Sequence, residues 1–92
     1  MKDLISEAFI VSGKVQGVGF RYHTALQASK LSVLGYAKNL PCGEVEVLAV
    51  GQADQVERLF MWLQQGPKTA RVEHVRRSQV IIDSVPSDFQ IL

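Results

Sequence analysis

The stretch GKVQGVGFR, residues 13 to 21, sets Gly13, Gly17 and Gly19 around Val15, Gln16 and Val18 and closes on Phe20 and Arg21. Glycine tolerates positive φ and carries no Cβ, so successive backbone N–H groups in such a loop can converge on one small ligand. Arg21 adds a planar, permanently charged fork. Donors without acceptors suit a phosphate or a carboxylate. Taken singly, the glycines fit an ordinary tight turn equally well, and Arg21 fits a solvated surface charge. Other reactive side chains are sparse. Cys42 as a phosphatase nucleophile calls for an arginine six positions on, where Leu48 stands, so it reads as a loop thiol. His23 and His74 lie far apart and lack neighbours of ligand type, which argues against a metal site. Either histidine fits a plain surface position, and His23, near the glycine loop, is the one that could meet a substrate's organic part. No pair of carboxylates accompanies the loop.

The chain that must position these residues has 92 amino acids, 47% hydrophobic and 21% charged, enough for one core and too few for two. One domain over residues 1–92 is expected. Ten Lys and Arg against nine Asp and Glu leave a formal charge of +1, so no basic excess points to nucleic acid or to an anionic membrane. The opening residues Met1 to Glu7 show no signal-peptide core, and no apolar run approaches the ~18 residues of a membrane span. With Cys42 as the single cysteine, an intrachain disulfide is ruled out. A cytoplasmic protein is expected, a monomer with neither nucleic-acid nor membrane partner.

Residues Glu7 to Val15 are rich in β-branched and aromatic types and read as a strand feeding the glycine loop. From Phe20 to Leu31 the period changes, with Thr24, Ala25, Ala28 and Leu31 at helical spacing, which puts Arg21 in a first helical turn. The positive end of a helix favours anions. Gly35 to Leu40 and Glu44 to Val50 read as a hairpin around Pro41-Cys42-Gly43, with Val45, Val47 and Ala49 on one face. Val56, Leu59, Phe60 and Leu63 form a helical stripe over about 53–65, stopped at Gly66-Pro67. Ala70 to Val80 reads as a strand, and Asp88 to Leu92 as a last short extended piece. The order strand, helix, strand, strand, helix, strand is the ferredoxin-like α+β arrangement, βαββαβ. It predicts an antiparallel sheet with two helices on one face, the first and third strands inside. This scaffold hosts enzymes, metal carriers and RNA binders alike.

Two stretches resemble a known family, the acylphosphatases. GKVQGVGFR is similar to that family's phosphate-cradle signature. Residues 35 to 51, GYAKNLPCGEVEVLAVG, are similar to its second signature, with Gly35, Tyr36, Asn39, Gly43, Val45 and Gly51 at the family spacing. The likeness runs on through Gly66-Pro67 and Ala70-Arg71-Val72. The resemblance implies a small, cofactor-free and metal-independent hydrolase of acyl phosphates, splitting the carboxyl–phosphate bond into carboxylate and inorganic phosphate. It further implies that the backbone of Val15, Gln16, Gly17, Val18, Gly19 and Phe20 binds the phosphoryl group together with the Arg21 side chain. Asn39 would then hold the attacking water.

That chemistry fits the residues present. Phosphoryl transfer passes through a loose transition state with charge on equatorial oxygens, so fixed donors and one arginine supply much of the catalysis. The leaving group is a carboxylate whose conjugate acid has a pKa of roughly 4, so it departs without a general acid. An asparagine orients water without deprotonating it. Rival readings are weaker. A P-loop closes on Gly-Lys-Ser/Thr, whereas Gly19 is followed by Phe20 and Arg21. An RNA-recognition module shares the fold, but its aromatics belong on central strands, whereas Phe20 and Tyr22 begin a helix. A carbamoyl-phosphate-processing unit normally sits in a longer chain, and this one stops at Leu92.

Overall fold

A computed structural model describes residues 4–92. The reading of Met1 to Asp3 lies outside the described residues. The elements in chain order are β1 (Leu4–Lys14), α1 (Phe20–Lys30), β2 (Leu34–Asn39), β3 (Val45–Gln52), α2 (Ala53–Leu63), β4 (Arg71–Gln79) and β5 (Phe89–Ile91). They build the ferredoxin-like α+β fold, two helices on a five-stranded sheet of order β4-β1-β3-β2-β5.

Alternation decides the sheet's buried face. Phe9 and Val11 of β1, Val45, Val47 and Ala49 of β3 and Ala37 of β2 are all fully buried, while their neighbours Ala8, Ile10, Glu46, Leu48, Tyr36 and Lys38 are not. Val56, Leu59 and Leu63 of α2 complete the core with Phe20, Thr24 and Ala28 of α1. The α1 stripe is poorly apolar. Its Thr24 is tolerated because the hydroxyl donates to the Phe20 carbonyl one turn back, at 2.8 Å. A charged cluster braces the other flank. Glu7, 6% exposed, accepts from Nε and Nη2 of Arg77, which also donates to Glu57 at 2.7 Å. The guanidinium lies 4.5 Å from the ring centre of Phe60.

Two departures from the sequence reading concern the sheet's ends. β1 starts three residues early, because Leu4, Ile5 and Ser6 pair with Gln52, Gly51 and Val50 of the long β3. The sheet is mixed rather than wholly antiparallel: β5 runs parallel to β2, with Gly35, Tyr36 and Ala37 opposite Phe89, Gln90 and Ile91. The chain leaves β4 at one edge of the sheet and must reach the far edge, so β5 enters beside β2 in β2's own direction.

Register brings the two sequence motifs to one end. β1 and β2 both pair antiparallel with β3, so they are parallel to each other and finish together. Val11, Val45 and Asn39 stand in one row across β1, β3 and β2, and side chains in such a row leave the same face. That face carries the helices.

Candidate functional site

A bulge between Ser12 and Gly13, opposite β4, turns the end of β1 into the loop. A Cβ on Gly13 would lie 2.2 Å from the Arg71 carbonyl oxygen, so only glycine lets the two backbones meet there. The loop's own shape rests on Gly19, at φ +78°, with Gly17 at φ +74° two residues earlier. Gly19 is the N-cap of α1 and contributes no side-chain hydrogen bond. The first intrahelical bond runs from the His23 N–H to the Gly19 carbonyl at 3.0 Å, so the preceding N–H groups of the turn have no helical acceptor.

Electrostatics at this helix start are one-sided. α2 has Asp54 in its first turn, the usual complement to a helix's positive end, whereas α1 has no acid there and carries Arg21 instead. A cation in that place is disfavoured by about 0.3–1 kcal/mol. A bound anion reverses the sign for helix and arginine together.

Val15, Gly17, Gly19, Phe20, Arg21, Tyr22 and Ile91 line a concavity of about 140 Å³. Arg21 Nη1 donates to the main-chain oxygen of Leu92, which holds the guanidinium at the rim, and its other N–H groups have no hydrogen-bond partner among the described residues. Size alone does not single out this hollow. A larger one, about 400 Å³, lies among Ile5, Ser6, Gln79, Val80 and Ile81, but no charged side chain among the described residues lines it.

Five residues expected in the cradle or beside it, Val15, Gly17, Gly19, Phe20 and Arg21, therefore share one hollow. Three others stand outside its lining. Val18 is packed against the core, and its carbonyl accepts from Thr69 Oγ1 at 2.7 Å. The Gln16 side chain turns to the β2–β3 hairpin, where Nε2 donates to the carbonyls of Leu40 at 2.8 Å and Glu44 at 2.9 Å. Asn39 closes β2 one residue before that hairpin turn, at the same end of the sheet. Its Oδ1 is buried and has no hydrogen-bond partner among the described residues. Burying an acceptor unpaired costs about 1–3 kcal/mol, which sets this Oδ1 apart from the other buried side-chain polar atoms of the described residues.

Sequence reasoning missed Tyr22, Ile91, Leu92 and Thr69. The last three are distant in sequence, and only the path of β5 and the α2–β4 loop shows that they approach the glycine loop. Of the remaining reactive groups, His23 is exposed, and its ring lies within van der Waals reach of the position a Gly19 Cβ would take. Cys42 is exposed at the hairpin tip, with Sγ 3.2 Å from Glu44 Oε1. Among the described residues, no three or more His, Cys, Asp or Glu are grouped to hold a metal ion. No helix there is long and apolar enough to cross a membrane.

Comparison with known proteins gives the family and the fold. The family model Acylphosphatase matches residues 7–91. An acylphosphatase of Vibrio cholerae is 56% identical over 84 residues, 91% of this chain and 92% of that protein. The solved structure of an acylphosphatase from Coxiella burnetii superposes with a TM-score of 0.91 at 37% identity, covering 98% of this chain and 94% of that one. A second, from Bacillus subtilis, gives 0.89 at 30% identity and covers 98% and 99%.

Proposed function

Because this chain belongs to the acylphosphatase family, we propose that residues 15–20 and Arg21 take up the phosphoryl group of an acyl phosphate while Asn39 orients the water that attacks it. The activity is hydrolysis of acyl phosphates. The oxygen of water bonds to phosphorus, the bond from phosphorus to the carboxyl oxygen breaks, and its electron pair leaves on the carboxylate. The proton lost by water passes to a phosphate oxygen, because a carboxamide accepts a hydrogen bond but not a proton.

One observation carries the assignment: a hollow where a left-handed glycine, an uncapped helix start and an arginine converge, with no acid among its lining residues. Donors fixed before the substrate arrives need no reorganisation as charge builds on the equatorial oxygens. The unpaired Oδ1 of Asn39 supports the second role. Water that donates one hydrogen to it keeps a lone pair free for phosphorus. A carboxylate leaving group needs neither an acid nor a cofactor. The same reading makes the chain a single domain over 1–92 and a cytoplasmic monomer acting on a small molecule without nucleic acid, for which the charge of +1 and the lone thiol of Cys42 speak.

The test uses benzoyl phosphate and p-nitrophenyl phosphate, each with a chelator present. Rapid cleavage of benzoyl phosphate alone, indifferent to chelation, is expected; equal cleavage of the ester overturns the assignment. Asn39→Ala should lower kcat about 10²- to 10³-fold with competitive inhibition by inorganic phosphate kept. Arg21→Ala should weaken both. Normal turnover in Asn39→Ala would remove the water-orienting role.

A further inference from the structure

Asn39 has the exacting task in this reading, yet its Oδ1 is tied to nothing among the described residues. Its aim must come from its backbone. That backbone is fixed on one side by the pairing of Asn39 with Val45 and on the other by the hairpin turn that follows. Leu40 N–H donates to the Glu44 carbonyl at 2.8 Å, and Gly43 N–H donates to the Leu40 carbonyl at 3.1 Å. These are the two carbonyls that receive Gln16 Nε2. A primary amide has two N–H groups, so both are used here, and each carbonyl ends with a donor on both lone pairs. Two carbonyl acceptors also settle which end of the amide faces the turn.

Gln16 belongs to the cradle, between buried Val15 and Gly17. Leu40 follows Asn39 directly, and Glu44 precedes its cross-strand partner Val45. A single side chain thus spans from the anion loop to both sides of the turn beside Asn39. We infer that the Gln16 side chain is a positioning residue, a strut that sets Asn39 at a fixed distance from the phosphoryl site. The inference rests on the functional reading above and gives Gln16 a task separate from its backbone's part in the cradle. A strut of this kind matters because a misplacement of about 1 Å at the reacting groups can cost 10²-fold in rate.

Gln16→Met keeps the length and removes both donors. Leu40 and Glu44 each keep one backbone donor, so the turn still closes. Measured with benzoyl phosphate, Gln16→Met should lower kcat about ten- to hundredfold. The inhibition constant of inorganic phosphate should change less than about threefold, within what one neutral hydrogen bond contributes. The deciding measurement is the double-mutant cycle with Asn39→Ala: in that background the same change should cost under about threefold, because a strut has nothing left to aim. Losses that multiply across the two backgrounds overturn the inference, as does a rise in the phosphate constant matching the fall in kcat. Gln16→Glu, which presents oxygens to the two carbonyls, repeats the cycle should the methionine variant fail to fold. A wild-type chain inactive on benzoyl phosphate sinks the functional reading and this inference with it. An active wild type with multiplying losses sinks this inference alone.

Discussion

Arginine and lysine carry the same charge, so Arg21 tests whether charge or shape matters at the mouth of the hollow. One arm of the fork is committed to the main-chain oxygen of Leu92, and the rest has no partner among the described residues. A lysine ammonium is a point charge on a flexible stem and cannot hold the Leu92 main-chain oxygen and a phosphoryl oxygen in fixed mutual geometry. Arg21→Lys is therefore expected to lose about 10²-fold in kcat/KM for benzoyl phosphate, with the inhibition constant of inorganic phosphate rising by far less. The difference arises because simple attraction survives the exchange while orientation in the transition state does not. Steady-state kinetics on the two variants at this position separate the contributions: if lysine restores full activity, the site needs only a positive charge.

The elements around the loop hold it from outside. Thr69, in the turn after α2, donates to the Val18 carbonyl. In a trans peptide the C=O and the following N–H point in opposite directions. Pinning the Val18 oxygen therefore turns the Gly19 N–H away from Thr69. Thr69→Val keeps the shape and removes the donor; about 1 kcal/mol is at stake for a neutral hydrogen bond. Inorganic phosphate should bind roughly fivefold more weakly, with kcat nearly unchanged, as read by isothermal calorimetry and kinetics. A phosphate affinity equal to wild type would show that the glycines alone set the loop. This contact also marks where reading the sequence stops. Alternation at Val45, Val47 and Ala49 and the stripe at Val56, Leu59 and Leu63 follow from burial, which composition encodes, and all six are fully buried. The glycine loop and Arg21 were legible because few residue types serve there. A loop threonine or an amide such as Gln16 bonds to any backbone group within reach. Its partner is fixed only when strands meet, so spacing along the chain does not reveal it. Asp88 to Leu92 read as extended, but the partner of β5 was hidden for a like reason: a three-residue strand after the irregular stretch 80–88 carries no pattern that names its neighbour.

At the scale of the molecule, the site depends on a crossing. After β4 the chain passes from one edge of the sheet to the other, and β5 docks on β2 through Gly35 N–H to the Asp88 carbonyl at 3.0 Å and Leu92 N–H to the Ala37 carbonyl at 2.8 Å. The segment latest in sequence thereby supplies Ile91 to the wall of the hollow and the main-chain oxygen of Leu92 to Arg21. Phe89, three residues earlier, packs against the core and does not line the hollow. The two ends of β5 should then have separable effects. Removing residues 91–92 frees the guanidinium and opens the wall, so KM for benzoyl phosphate should rise about tenfold, the scale of one hydrogen bond to a charged group. Phe89→Ala should instead cost about 2 kcal/mol of stability, below the full-burial value because the ring is only partly covered, and leave KM near wild type. Thermal unfolding and steady-state kinetics on both variants distinguish the roles. If the shortened chain lost only stability, with KM unchanged, β5 would be a plain edge strand and Arg21 would owe its place to the helix alone.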